Sequence, residues 1–116
     1  MANTFKIKTN DAMPSSAGTP LTLYTVPSNT TAIILGLMLC NVESTQRTVD
    51  VHIESDTSDT ETNANVHAIK DAPIPAGSTL EVMSGNKVVL QTTDVLKIDC
   101  DVAAKIDATL SIMEIT

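Results

Sequence analysis

Aromatic side chains are almost missing from this sequence: Phe5 and Tyr24 are its only two, and tryptophan is absent. Sites that stack sugars, bases or methylated cations on aromatic rings therefore have little to be built from. Arginine is nearly as scarce. Arg47 and a few scattered lysines face 14 acidic residues, for a net charge of −7. Phosphate neutralisation needs clustered cations, so no nucleic-acid partner is expected. Only four glycines are present, and they form no phosphate loop, dinucleotide fingerprint or nucleophile elbow. Two histidines and one tyrosine supply few general acids or bases near neutral pH, and neither cysteine has an evident activating histidine. The expectation is a non-enzyme without a cofactor. The longest apolar run, Ala32 to Cys40, is too short to span a membrane and is interrupted by Gly36. The N-terminus alternates polar and apolar residues where a signal peptide needs a continuous apolar stretch. No membrane partner is expected.

What the chain does have is Thr, Val and Ile in period-two alternation over short spans, the pattern of half-buried strands. The strands predicted are Asn3 to Thr9, Leu21 to Val26, Thr31 to Asn41, Arg47 to Glu54, Val66 to Lys70, Thr79 to Met83, Lys87 to Thr92, Val95 to Val102 and Lys105 to Ile115. Proline and glycine cluster between them, at Met13-Pro14, Ala17 to Pro20, Val26 to Asn29, Ala72 to Gly77 and Ser84 to Asn86. In a chain of 116 residues, eight or nine such strands predict one all-β domain, an antiparallel, jelly-roll-like β-sandwich. Cys40 and Cys100 both fall in strand patterns. Two reduced thiols packed as small hydrophobes are the favoured expectation, with a bridge between them as the alternative.

The third strand is apolar on both faces. Strict alternation puts Ile33, Leu35, Leu37 and Leu39 on one side and Ile34, Met38 and Cys40 on the other, so its second face needs cover from a loop or another subunit. The last strand alternates cleanly, with Ile106, Ala108, Leu110 and Ile112 inward, until Met113-Glu114-Ile115 breaks the pattern and suggests a bulge. Residues 1–20 read as an N-terminal arm on a Pro, Gly and Ser-rich tether, and residues 21–116 as the sandwich. Such an arm pairs either with its own sheet or with a neighbouring copy. Phe5 and Ile7 on the arm, with Ile34 and Met38 on the third strand, are the candidate assembly contacts.

Polar constellations are few. A symmetric hairpin about Asp59-Thr60 places His52 directly opposite His67, on a face shared with Asp50 and Glu54. Two imidazoles and a carboxylate can bind zinc or respond to acidification, although two exposed histidines on a polar face are the commoner outcome. The connecting loop carries Glu54, Asp56, Asp59 and Glu61, an oxygen-rich set that makes Asp56 and Asp59 weak candidate cation ligands. Asp99 and Asp101 flank Cys100 and read as a solvated strand face.

Three segments carry a resemblance. They are Leu23-Tyr-Thr-Val-Pro-Ser-Asn-Thr-Thr-Ala-Ile-Ile-Leu-Gly-Leu with Asn41, then Pro73-Ile-Pro-Ala-Gly-Ser-Thr-Leu-Glu-Val82, then Lys87-Val-Val-Leu followed by Thr93-Asp-Val-Leu-Lys-Ile98. In this order they resemble small all-β virion structural proteins of tailed bacteriophages, particularly those of cyanobacterial hosts. Where such relatives often start the penultimate strand with Gly-Asp, this chain has Thr93-Asp94. The resemblance implies a structural role in many copies, as capsid decoration or cement, or at the neck or tail. It implies major capsid, neck or tail proteins as partners, a homo-oligomeric state, and a location in the virion after synthesis in the host cytoplasm. It carries over no catalytic residue. A receptor-binding or carbohydrate-binding module is the alternative reading.

Overall fold

The computed structural model describes residues 2–11, 20–55, 63–83, 87–101 and 105–116. Nine strands run through them: β1 (Asn3–Asn10), β2 (Leu21–Thr25), β3 (Thr31–Asn41), β4 (Arg47–Glu54), β5 (Val66–Ile74), β6 (Thr79–Glu81), β7 (Val88–Leu90), β8 (Val95–Cys100) and β9 (Ile106–Ile115). They form two antiparallel sheets packed as a sandwich. Sheet A has the order β1-β9-β3, with β6 and β7 sharing the far edge of β3, and sheet B has the order β2-β8-β4-β5. The pairings nest, with β4 on β5 innermost, then β3 on β6 and β7, β2 on β8, and β1 on β9 outermost. A ribbon nested in this way, with successive pairs assigned alternately to the two sheets, is a jelly-roll wrap.

The core lies between the sheets. Ala32, Ile34, Leu37, Leu39, Ile106, Ala108, Leu110 and Ile112 from sheet A face Val49, Val51, Ile74, Leu96, Ile98 and Cys100 from sheet B, all of them buried. Each fully buried Leu or Ile contributes about 1.5–3 kcal/mol of transfer free energy, and together these side chains offset the ordering of the chain. Asn41 is also fully buried and is satisfied on both sides of its amide. Its Nδ2 donates to the carbonyls of Thr45 and Ile74, and its Oδ1 accepts from the Glu43 N–H.

Several local expectations need correction. A bulge between Ile34 and Gly36 resets the alternation of β3, so Ala32, Ile34, Leu37 and Leu39 all face the core while Met38 faces outward. Ile34 is therefore a core residue and no assembly contact. Strand β9 has no bulge: its register against β1 is continuous, and Glu114 takes the next inward position after Ile112. Strand β5 runs through Pro73 to Ile74. Proline is accommodated there because β5 is an edge strand, with no ladder partner on one side among the described residues. Of the two arrangements expected for the leading segment, it takes pairing with its own sheet: β1 pairs along its length with β9, and Ala2 and Thr116 exchange N–H to carbonyl bonds of 3.0 Å. The tether residues 12–19 and the turn residues 84–86 lie outside the described residues. Asp99 is buried, contrary to the solvated face expected for it, and its Oδ1 accepts the Cys100 N–H. Cys100 packs in the core, whereas Cys40 is only half-buried on the outer side of sheet A, and the two are unbridged.

The turns follow their residues. Gly77 takes a φ of 69°, and Ser78 N–H donates to the Pro75 carbonyl, closing the Pro-Ala-Gly reversal into β6. Thr93 has a φ of 74°, a left-handed conformation that a β-branched side chain adopts at a cost. Replacing Thr93 with glycine is expected to stabilise the fold by about 0.5–1 kcal/mol, read as a higher urea midpoint with an unchanged slope.

Candidate functional site

The outer face of sheet A carries an unbroken apolar row. Phe5 on β1 stands opposite Met113 on β9, Met113 opposite Ile33 on β3, and Ile33 opposite Val89 on β7. Register aligns the four side chains across four strands on one face. Phe5 is 71% exposed, Val89 58% and Ile7, one position along β1 on the same face, 65%. Below the row, Leu35, Leu37, Met38 and Met83 border a shallow depression of about 390 Å³ whose polar walls are Glu81, Thr109 and Ser111. Its floor is Gly36, where no atom lies within 4 Å of the place a Cβ would take. The bulge at Leu35 thus shapes both faces. It sends Leu37 and Leu39 inward and leaves Leu35 and Met38 exposed beside the depression.

A buried polar group fixes the orientation of β1. Glu114, on the inner face of β9, accepts a 2.5 Å hydrogen bond from the Tyr24 hydroxyl and a 2.8 Å ion pair from Lys6 of β1. Burial, reinforced by the neighbouring Glu114 carboxylate, pushes the Tyr24 phenol well above its ordinary value. The Lys6 ammonium and the Tyr24 hydroxyl hold the Glu114 carboxyl below the usual carboxylate range. Because alternate residues of a strand point to opposite faces, anchoring Lys6 inward holds Phe5 and Ile7 outward.

The second constellation lies on the outer face of sheet B. His52 and His67 are cross-strand partners of β4 and β5, as the symmetric hairpin predicts, with ring centroids 4.2 Å apart. Asp50 joins them, while Glu54 is drawn to Lys97 in a 3.0 Å ion pair. The weak cation candidates Asp56 and Asp59 lie outside the described residues.

Of the four candidate assembly contacts, the fold brings Phe5, Ile7 and Met38 to one face and withdraws Ile34 into the core. Ile33, Val89 and Met113 are additions. The alternation of β9 would have identified Met113 as outward had it been carried through Glu114. Comparisons with protein-family models, with curated proteins and with solved structures found no match to this chain.

Proposed function

We propose that this chain is a structural assembly protein of a phage virion, most simply a capsid decoration or cement protein, which binds its neighbours through the outer face of sheet A. The observation that carries the proposal is the outward apolar row in which exposed Phe5 and Val89 flank half-buried Met113 and Ile33, continued by exposed Ile7, Leu35 and Met38. Contiguous apolar patches of this kind are uncommon on monomeric soluble proteins and mark interaction surfaces. The resemblance of three segments to virion proteins supplies the setting, and the net charge of −7 suits a protein that must stay soluble before assembly. The mechanism is associative. Each contact gains about 25 cal/mol per Å² of apolar area removed from water, less the cost of association, and repetition on a lattice multiplies modest contacts through avidity.

The test is sedimentation of the purified protein, alone and mixed with emptied capsids or with tails. Self-association or co-sedimentation with capsids is expected, and the Phe5→Asp/Val89→Asp double variant should abolish it while keeping the wild-type far-ultraviolet circular dichroism. Binding to tails alone would move the location from shell to tail. A monomer that binds neither particle, or association unaffected by the double variant, would overturn the proposal.

A further inference from the structure

We infer that His52, His67 and Asp50 form a binding site for a divalent transition-metal ion of the zinc class. One imidazole nitrogen from each histidine and one carboxylate oxygen of Asp50 all lie within 4.8 Å of one another. Ligand atoms around a four-coordinate zinc stand about 3.3 Å apart, as follows from bond lengths near 2.0–2.1 Å. Small side-chain rotations close that gap, with water completing the shell. The donor set is also the right one, because imidazoles with a carboxylate favour zinc and its neighbours over the oxygen-seeking calcium and magnesium.

Three further features support the assignment. His52 Nε2 is buried, and among the described residues no hydrogen-bond partner reaches it, a costly arrangement that coordination relieves. Asp50 is already oriented, since its Oδ1 accepts a 2.5 Å hydrogen bond from the Asp71 N–H, the kind of outer contact that fixes metal ligands. The local charge favours a cation. Asp99 stands opposite Asp50 on β8, and Lys97, opposite His52, is held by Glu54.

The backbone explains why the three groups meet. Strand β5 shifts register twice against β4, once between Val49 and Val51 and again between Val51 and His52. Bulges re-aim side chains and concentrate next to functional sites. Here both shifts fall within the span from Val49 to His52, opposite which Asp71 takes its left-handed φ of 51°. A bound ion would tie the edge strand β5 to β4 at mid-length.

Isothermal titration of the full chain, stripped with chelator, with zinc chloride near neutral pH is the test. One equivalent is expected to bind, to shift the imidazole nitrogen resonances of both histidines and to raise the melting temperature by about 5 °C. Calcium chloride should do none of these. His67→Ala, at an exposed position that the fold tolerates, should weaken zinc at least about tenfold, and Asp50→Asn should weaken it less. The inference is overturned if zinc does not bind, if binding survives His67→Ala unchanged, or if calcium competes equally. None of these results depends on whether the outer face of sheet A drives assembly.

Discussion

Replacing Ile34 with alanine is expected to cost about 3–5 kcal/mol of stability, whereas Met38→Ala, four residues along the same strand, should cost less than about 0.5 kcal/mol. The contrast depends on the bulge between Ile34 and Gly36. Ile34 is fully buried between the sheets and Met38 is exposed on the outer face, although simple alternation would put both on one side. Removing the Ile34 side chain leaves a cavity that its cross-strand neighbour Ile112 and the rest of the core cannot fill without moving, so both the transfer and the cavity contributions are lost. Urea unfolding of the two variants measures the difference directly. Equal effects would mean that the strand keeps strict alternation. In sedimentation the pattern should reverse, with Met38→Ala weakening association and Ile34→Ala leaving it intact wherever the variant is folded.

Glu114→Ala is expected to destabilise the protein by about 2–4 kcal/mol, because it strands the buried Tyr24 hydroxyl and frees Lys6 from its anchor. The share belonging to Lys6 is the smaller one, since half of that side chain is exposed and its attraction is screened by solvent. The pH dependence has a definite sign. The Glu114 carboxyl titrates lower in the folded protein than in the unfolded chain, where its value is about 4.3. Its contribution is therefore present in full above that value and is lost as the pH falls through the lower folded one. At the alkaline end the Tyr24 phenol, raised in the folded state, stabilises below its unfolded value of about 10 and loses that contribution as the pH rises through the folded one. Urea midpoints across the pH range should show both limbs in the wild type. Glu114→Gln should flatten the acid limb, and Tyr24→Phe should remove the alkaline one. Hydrogen exchange should also show the β1 amides opening more readily in Glu114→Ala, since β1 loses the ion pair that joins Lys6 to the buried carboxylate.

Strand content was legible in the sequence because the Val, Ile and Thr alternation and most of the Pro and Gly clusters agree on the same boundaries, the exception being Pro73, which β5 runs through. The His52 and His67 pairing was legible for a simpler reason: strands that leave a loop symmetrically fix their own register. Three features were hidden. On β3 both faces are apolar, so a slip of one residue at Leu35 changes no polarity and leaves no trace in the pattern. Glu114 is hidden by its own charge, because a carboxylate in an inward position reads as a break in the strand until its partners Tyr24 and Lys6, distant in sequence, are brought to it. The register shifts of β5 depend on pairing with β4 and have no local signature, although the place of Asp50 on the face of His52 follows from alternation along β4 alone.

The nested pairing also sets an order of events during synthesis. Among the described residues strand β1 finds its sheet partner in β9, about 100 residues further along the sequence, so it waits unpaired on the ribosome until β9 has emerged. Contacts so distant along the chain make for slow folding. During that wait the leading strand of one nascent copy is open to capture by the trailing strand of another, and a crowded polysome would be the place where intertwined dimers arise.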